Sequence, residues 1–212
     1  MSQLRRLLLA VLCALPGCAG LLHSTAPALQ LYVLRPPETA SSNGAPRIGA
    51  PSLRIARPLP GPALNTDRIA LLRAGNRLDY YAGSRWSAPL ADLVSDLQLT
   101  VLHNDPAWSA VADDRSGFNT DYLLQISIDR FMAEYATEAG PPTIRVDLHC
   151  LLIRRGDGGL LGSFAVSEQE AAQQNRMASV VTAFSDAADR AILSIQAQAD
   201  QLLRSAKSPA PP

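Results

Sequence analysis

The stretch Tyr122-Leu123-Leu124-Gln125-Ile126-Ser127-Ile128-Asp129-Arg130-Phe131-Met132 turns Leu124, Ile126 and Ile128 one way and Gln125, Ser127 and Asp129 the other. Successive side chains of a strand point to opposite faces, so this period of two predicts a half-buried β-strand. Thr143–Arg154 repeats it, with Ile144, Val146, Leu148, Cys150 and Leu152 set against Arg145, Asp147 and His149. Gly156-Asp157-Gly158-Gly159 then supplies a turn into a third strand, Leu160–Glu168. Three consecutive strands of this kind predict an antiparallel meander with one wet face, and its apolar face needs a cover.

Two stripes can provide that cover. Leu90, Leu93, Val94, Leu97 and Val101 recur at helical spacing within Ser87–Leu102, with Pro89 where an early helical turn accepts it. Asn175–Arg204 carries Met177, Val180, Val181, Phe184, Ala188, Ile192, Ile195 and Leu202 on one side. Upstream, Leu31–Leu34, Ser52–Arg57, Arg68–Arg73, Arg77–Tyr81 and Trp108–Ala112 read as strands, with Ala74-Gly75-Asn76 as a hairpin turn. The expected architecture is α+β: a largely antiparallel β-sheet with two main helices packed on one face.

The chain has 212 residues, 47% of them apolar, and equal numbers of basic and acidic side chains, 19 of each. Zero net charge without basic runs argues against nucleic acid as a partner, because phosphate binding needs clustered Lys and Arg. The apolar residues are unevenly spread. Residues 1–17 have the form of a secretory leader: Arg5-Arg6, the apolar run Leu7–Leu15, then small residues. Interrupted by Pro16, Gly17 and Gly20, the run is shorter than the roughly 20 residues of a membrane span.

Leu15-Pro16-Gly17-Cys18 resembles the lipobox of bacterial lipoproteins, in which the cysteine is acylated and becomes the mature N-terminus. The covalent lipid on Cys18 is the one attached group expected; no catalytic residue, cofactor or metal is. Ala19, rather than Asp, after the cysteine implies the outer membrane by the sorting rule of such proteins. Residues 18–30 then form a lipidated tether, 31–205 the folded domain and 206–212 a frayed tail. Without Arg5 and Arg6, 17 basic residues face 19 acidic ones, a net charge of −2. Cys13 leaves with the leader, and with Cys18 acylated Cys150 has no disulfide partner.

Catalytic patterns do not emerge. His23 lies in the tether, His103 ends a helix, and no Gly-x-Ser-x-Gly elbow occurs. His149 and Cys150 are strand neighbours that point apart and so cannot readily share a metal. Cys150, among apolar companions, reads as a core thiol. Asp113–Asp121 is acidic and loop-like but lacks the ligand spacing of a calcium loop, so it reads as a solvated turn. Arg54, Arg57, Arg68, Arg73 and Arg77 gather in the early strands, where they form either a lipid- or partner-contact surface or a solvated face. Trp86 and Trp108 read first as core anchors. Arg68, Arg73 and Trp86 are carried forward as partner-contact candidates.

Several segments together resemble the ABC-type transport auxiliary lipoproteins. They are Leu31-Tyr32-Val33-Leu34-Arg35-Pro36 after the lipobox, Pro58-Leu59-Pro60 before Asp67-Arg68-Ile69-Ala70, and Leu78-Asp79-Tyr80 before Arg85-Trp86-Ser87-Ala88-Pro89-Leu90. The similarity continues through Asp121-Tyr122-Leu123-Leu124 and Asp129-Arg130-Phe131; Pro16 and Ala70 depart from the usual pattern. The resemblance implies a non-enzymatic, outer-membrane-anchored protein facing the periplasm. It would work with a periplasmic MCE-domain protein and an inner-membrane permease that together move phospholipid or other hydrophobic molecules. A homo-oligomer would match an oligomeric partner. The alternative is a structural envelope lipoprotein that assists assembly of an outer-membrane complex.

Overall fold

The computed structural model describes residues 28–36 and 49–207; the leader, Cys18, His23, most of the tether and residues 208–212 of the expected tail lie outside the described residues, while 206 and 207, expected in the tail, continue the last helix. The meander is present and longer than the alternation alone implied. β7 (Tyr122–Glu134), β8 (Thr143–Arg154) and β9 (Leu160–Ala171) pair antiparallel in chain order. Leu124, Ile126 and Ile128 are buried, and a bulge between Ile128 and Arg130 then shifts the phase by one residue. Asp129 is left outside and Phe131 and Ala133 return to the core side, as an inserted residue in one strand requires.

On the other edge of β7 the sheet forks. β2 (Ser52–Ile55), β3 (Leu59–Pro60) and β4 (Arg68–Arg73) lie along it one after another, each parallel to β7, opposite Tyr122–Leu124, Ser127–Ile128 and Ala133–Glu134. Pro58, Pro60 and Pro62 break what would otherwise be one ladder, since proline has no N–H to donate. β6 (Ala110–Ala112) flanks β2 in parallel. β5 (Arg77–Trp86) flanks β4 antiparallel, and β1 (Gln30–Tyr32) flanks β5 in parallel. The long ladders are antiparallel as expected; these short parallel ones were not, because a strand's own alternation says nothing about its neighbour's direction. The Ala74-Gly75-Asn76 turn holds, with Gly75 and Asn76 in the left-handed region (φ 76° and 58°) that Gly and Asn tolerate best.

α1 (Leu90–His103) starts three residues later than the expected range Ser87–Leu102, at the first residue of its stripe, because Pro89 is extended at ψ 143° and acts as the cap residue. α2 (Met177–Lys207) buries Val180, Phe184, Ala188, Ile192, Ile195 and Leu203 against β8, β9 and α1. Both helices therefore cover the same face. Phe184 sits at the centre of this packing. Its ring stacks on Phe131 of β7 at 5.2 Å and meets the Trp86 ring of β5 edge-on at 5.2 Å. Trp86 also meets Phe131 edge-on at 6.1 Å. At the far end of the helix, a Cβ on Gly162 would fall 2.6 Å from Leu202 Cδ2, so the missing side chain lets α2 approach β9 closely. Arg190 fastens the rim, 3.1 Å from Glu168 and 2.8 Å from Glu170.

Truncating Phe184 to Ala removes both ring contacts and leaves a cavity, an expected cost of about 3–5 kcal/mol. Phe184→Asp should cost more, by burying an unpaired charge. Denaturant unfolding of the two variants checks this, and unchanged midpoints would show that α2 does not pack on this seam.

Candidate functional surfaces

The thiol and the imidazoles among the described residues do not converge on one site. Cys150 is 0% exposed and burial pushes its thiol up to about 12, so it carries no thiolate at neutral pH. His149, its neighbour in β8, is exposed on the opposite face. His103 ends α1 with Nδ1 2.7 Å from the Leu99 carbonyl oxygen. Among the described residues no group of three or more His, Cys, Asp or Glu is placed to hold a metal ion.

The acidic loop Asp113–Asp121 has an internal cation. Arg54 Nη1 donates to the carbonyls of Asp113 (2.8 Å) and Ser116 (3.0 Å), and its Nη2 donates to the Phe118 carbonyl. The loop's carboxylates likewise have partners, some in the loop and some upstream of it. Asp113 accepts from Ser116 Oγ at 2.8 Å and Arg115 Nε at 2.7 Å, and those two partners, Arg115 first, hold its carboxyl below the usual range. Asp121 accepts from the Ser52 backbone N–H and hydroxyl, both at 2.7 Å, which lowers its carboxyl in the same way. The loop is thus a turn braced against β2. Alternation in β2 predicted a strand but gave no hint of this role for Arg54, whose partners lie about sixty residues downstream.

The arginines of the early strands do not converge. Arg57 Nε pairs with Asp92 of α1 at 2.8 Å, and its backbone N–H donates to Asp114 at 2.7 Å. Arg73 lies 3.9 Å from Asp79 and 5.5 Å from the Tyr135 ring centroid; Arg77 reaches Glu138 at 3.5 Å. Arg68 stacks on the Tyr80 ring at 3.7 Å. Of the three partner-contact candidates, Arg68 and Arg73 stand at opposite ends of β4. Trp86, 2% exposed between Phe131 and Phe184, belongs to the core and presents no contact surface, because the aromatic seam takes up its ring.

An open cleft of about 730 Å³ lies at one end of the sheet, between Ala50-Pro51, Thr120–Tyr122 and Arg154–Gly156. Its guanidiniums also have partners: Arg154 with Asp157 at 2.9 Å and Arg155 with Thr120 Oγ1 at 3.2 Å. Replacing Arg54 with Ala removes three charge-assisted bonds to the neighbouring loop and should cost about 1–3 kcal/mol. Hydrogen exchange should accelerate across Ser116–Thr120; protection equal to the parent chain would show that the loop does not depend on Arg54.

The fold recurs in solved structures. A Xanthomonas campestris protein matches with a TM-score of 0.69 at 20% identity, over 83% of this chain and 98% of that one. An uncharacterised protein matches at 0.64 and 12%, over 82% and 99%, and a hypothetical Chlamydia trachomatis protein at 0.51 and 7%, over 74% and 99%. These identities speak to the fold alone. No curated protein sequence matches the chain. Residues 32–196 match the family model described as the ABC-type transport auxiliary lipoprotein component.

Proposed function

The chain belongs to the ABC-type transport auxiliary lipoprotein family, and we propose that it is a non-enzymatic, outer-membrane-anchored member serving a transporter of phospholipid or similar hydrophobic cargo. Acylated Cys18 is the anchor, and Ala19 after it directs the protein to the outer membrane, facing the periplasm. The observation that carries the reading is the lipobox cysteine placed just ahead of a domain that matches the family almost throughout. Two or three acyl chains hold a protein stably at a bilayer where a single chain holds it only marginally. Among the described residues no helix is long and apolar enough to cross a membrane, which suits attachment by lipid.

In this reading the domain, residues 31–205, docks a periplasmic MCE-domain protein of the same system, and an inner-membrane permease completes the path. ATP hydrolysis belongs to another subunit. The buried thiol and the self-satisfied acidic loop support a role in docking rather than turnover. Arg68 and Arg73 are the candidates that remain at the surface for partner contact, at separate places. A homo-oligomer would suit an oligomeric MCE partner.

Cys18→Ala is expected to leave the chain without its acyl mass and to shift it from the outer-membrane fraction to the soluble periplasm. Retention in the membrane fraction at the parent level would contradict the anchor. Affinity purification of the lipidated parent from its own envelope is expected to bring down an MCE-domain protein. Recovery of an outer-membrane assembly complex instead would favour the structural alternative.

A further inference from the structure

The two wings of the helix-free face differ. On the β7–β8 wing it carries Gln125, Ser127, Arg145, Asp147 and His149, opposite the buried row of Ile126, Ile144, Val146 and Leu148. On the β1–β5 wing its margin, at β1, is aliphatic. Tyr32 pairs with Trp86 and turns with it toward the helices, so Leu31, paired with Arg85, projects the other way. Leu29, Leu31 and Val33 alternate with Gln30, Tyr32 and the buried Leu34, and they are 53%, 63% and 55% exposed. Exposed aliphatic residues are ordinary when scattered, but Leu31 on the terminal strand, with Leu29 and Val33 just before and after that strand, makes a row of three at alternate positions.

Guanidiniums border it. Arg85 lies beside Leu31, and Arg68 lies beside Arg85 in register. Arg35 follows the stripe and is exposed. Arg85 shares its charge with Asp67 at 2.7 Å, whereas Arg35 and Arg68 have no carboxylate partner among the described residues. Aliphatic side chains with arginines at their margin match a bilayer surface, where apolar groups enter the acyl boundary and basic groups meet anionic headgroups.

Chain position selects the bilayer over a protein partner. β1 is the first strand after the anchor, and the ten residues Ala19–Ala28 between Cys18 and this stripe span at most about 35 Å. We propose that Leu29, Leu31 and Val33, flanked by Arg35, Arg68 and Arg85, rest on the anionic phospholipid surface to which the chain is tethered. The tethered domain thereby takes one orientation, with its helix-free face toward the bilayer on the β1 side. This inference rests on the anchoring of Cys18.

The test uses the lipidated full chain carrying Leu31→Cys labelled with an environment-sensitive fluorophore and reconstituted in phosphatidylethanolamine–phosphatidylglycerol vesicles. Labelling is selective, because Cys18 is acylated and Cys150 is fully buried. Leu193→Cys, at an exposed site on α2, is the reference. The probe at 31 is expected to shift to the blue and to be quenched by spin-labelled lipid, with neither change at 193. A probe at 31 as wet as that at 193, or one that is dry yet unquenched by lipid, overturns the inference; the latter result would place a protein there. The acyl mass of the Cys18 peptide is read from the same sample. Its absence would refute the anchor itself, and its presence with a wet probe would refute only the contact.

Discussion

The contact among Trp86, Phe131 and Phe184 is the constraint on which the fold depends. Each ring comes from a different element, β5, β7 and α2, and the three meet where the outer wing of the sheet joins its centre. Phe131 can take part only because the bulge at Asp129 returns it to the core side. Trp86 is held by its own backbone, whose N–H donates to the Asp67 carbonyl at 2.7 Å, so the end of β5 is pinned before α1 begins. Aromatic rings in offset and edge-on geometry add to the stabilisation from area burial. Without this seam the β4–β5–β1 wing would hang from β7 by little more than the short ladder at Ala133–Glu134.

Covering one face with both helices leaves the other open, and its division into polar and aliphatic wings follows from the strands that form it. The meander strands are long, and along β8 and the first half of β7 buried apolar residues alternate with polar ones that face outward. The outer wing ends in β1, a three-residue strand that pairs with β5 and is the last in the order of the described strands, with Leu31 exposed. The architecture thus separates a stable half-covered body from an aliphatic margin next to the point where the chain enters the domain. Such a body suits the proposed role, in which a lipid anchor would fix where the domain is and its exposed surfaces what it meets.

Much of this was legible in the sequence. Thr143–Arg154 is a strand over the full range its alternation marks, and Arg68–Arg73 likewise. The stripes of both helices predicted their buried faces, and Cys150 sits in the core where its four apolar companions placed it. Other features depend on pairs of residues far apart in the chain. The parallel ladders bring Ser52–Arg73 beside Tyr122–Glu134, and no local pattern encodes that direction. Arg54 looked like one member of a basic surface group; its carbonyl partners belong to a loop that seemed to need only water. Trp86 carried a surface expectation and a core expectation together, and the aromatic seam decided between them. The exposure of Leu31 and Val33 was hidden because Leu31–Leu34 is apolar at every position and so does not show which side is covered; that depends on the sheet margin.

In the proposed role this domain acts only as part of an ABC transport system. Entry of a hydrophobic fluorescent probe through the envelope, compared in cells lacking this chain, the transporter's ATPase, or both, tests that dependence. A defect is expected in each single deletion with no further defect in the double deletion, since both would disable one pathway. An additive defect in the double deletion would contradict it.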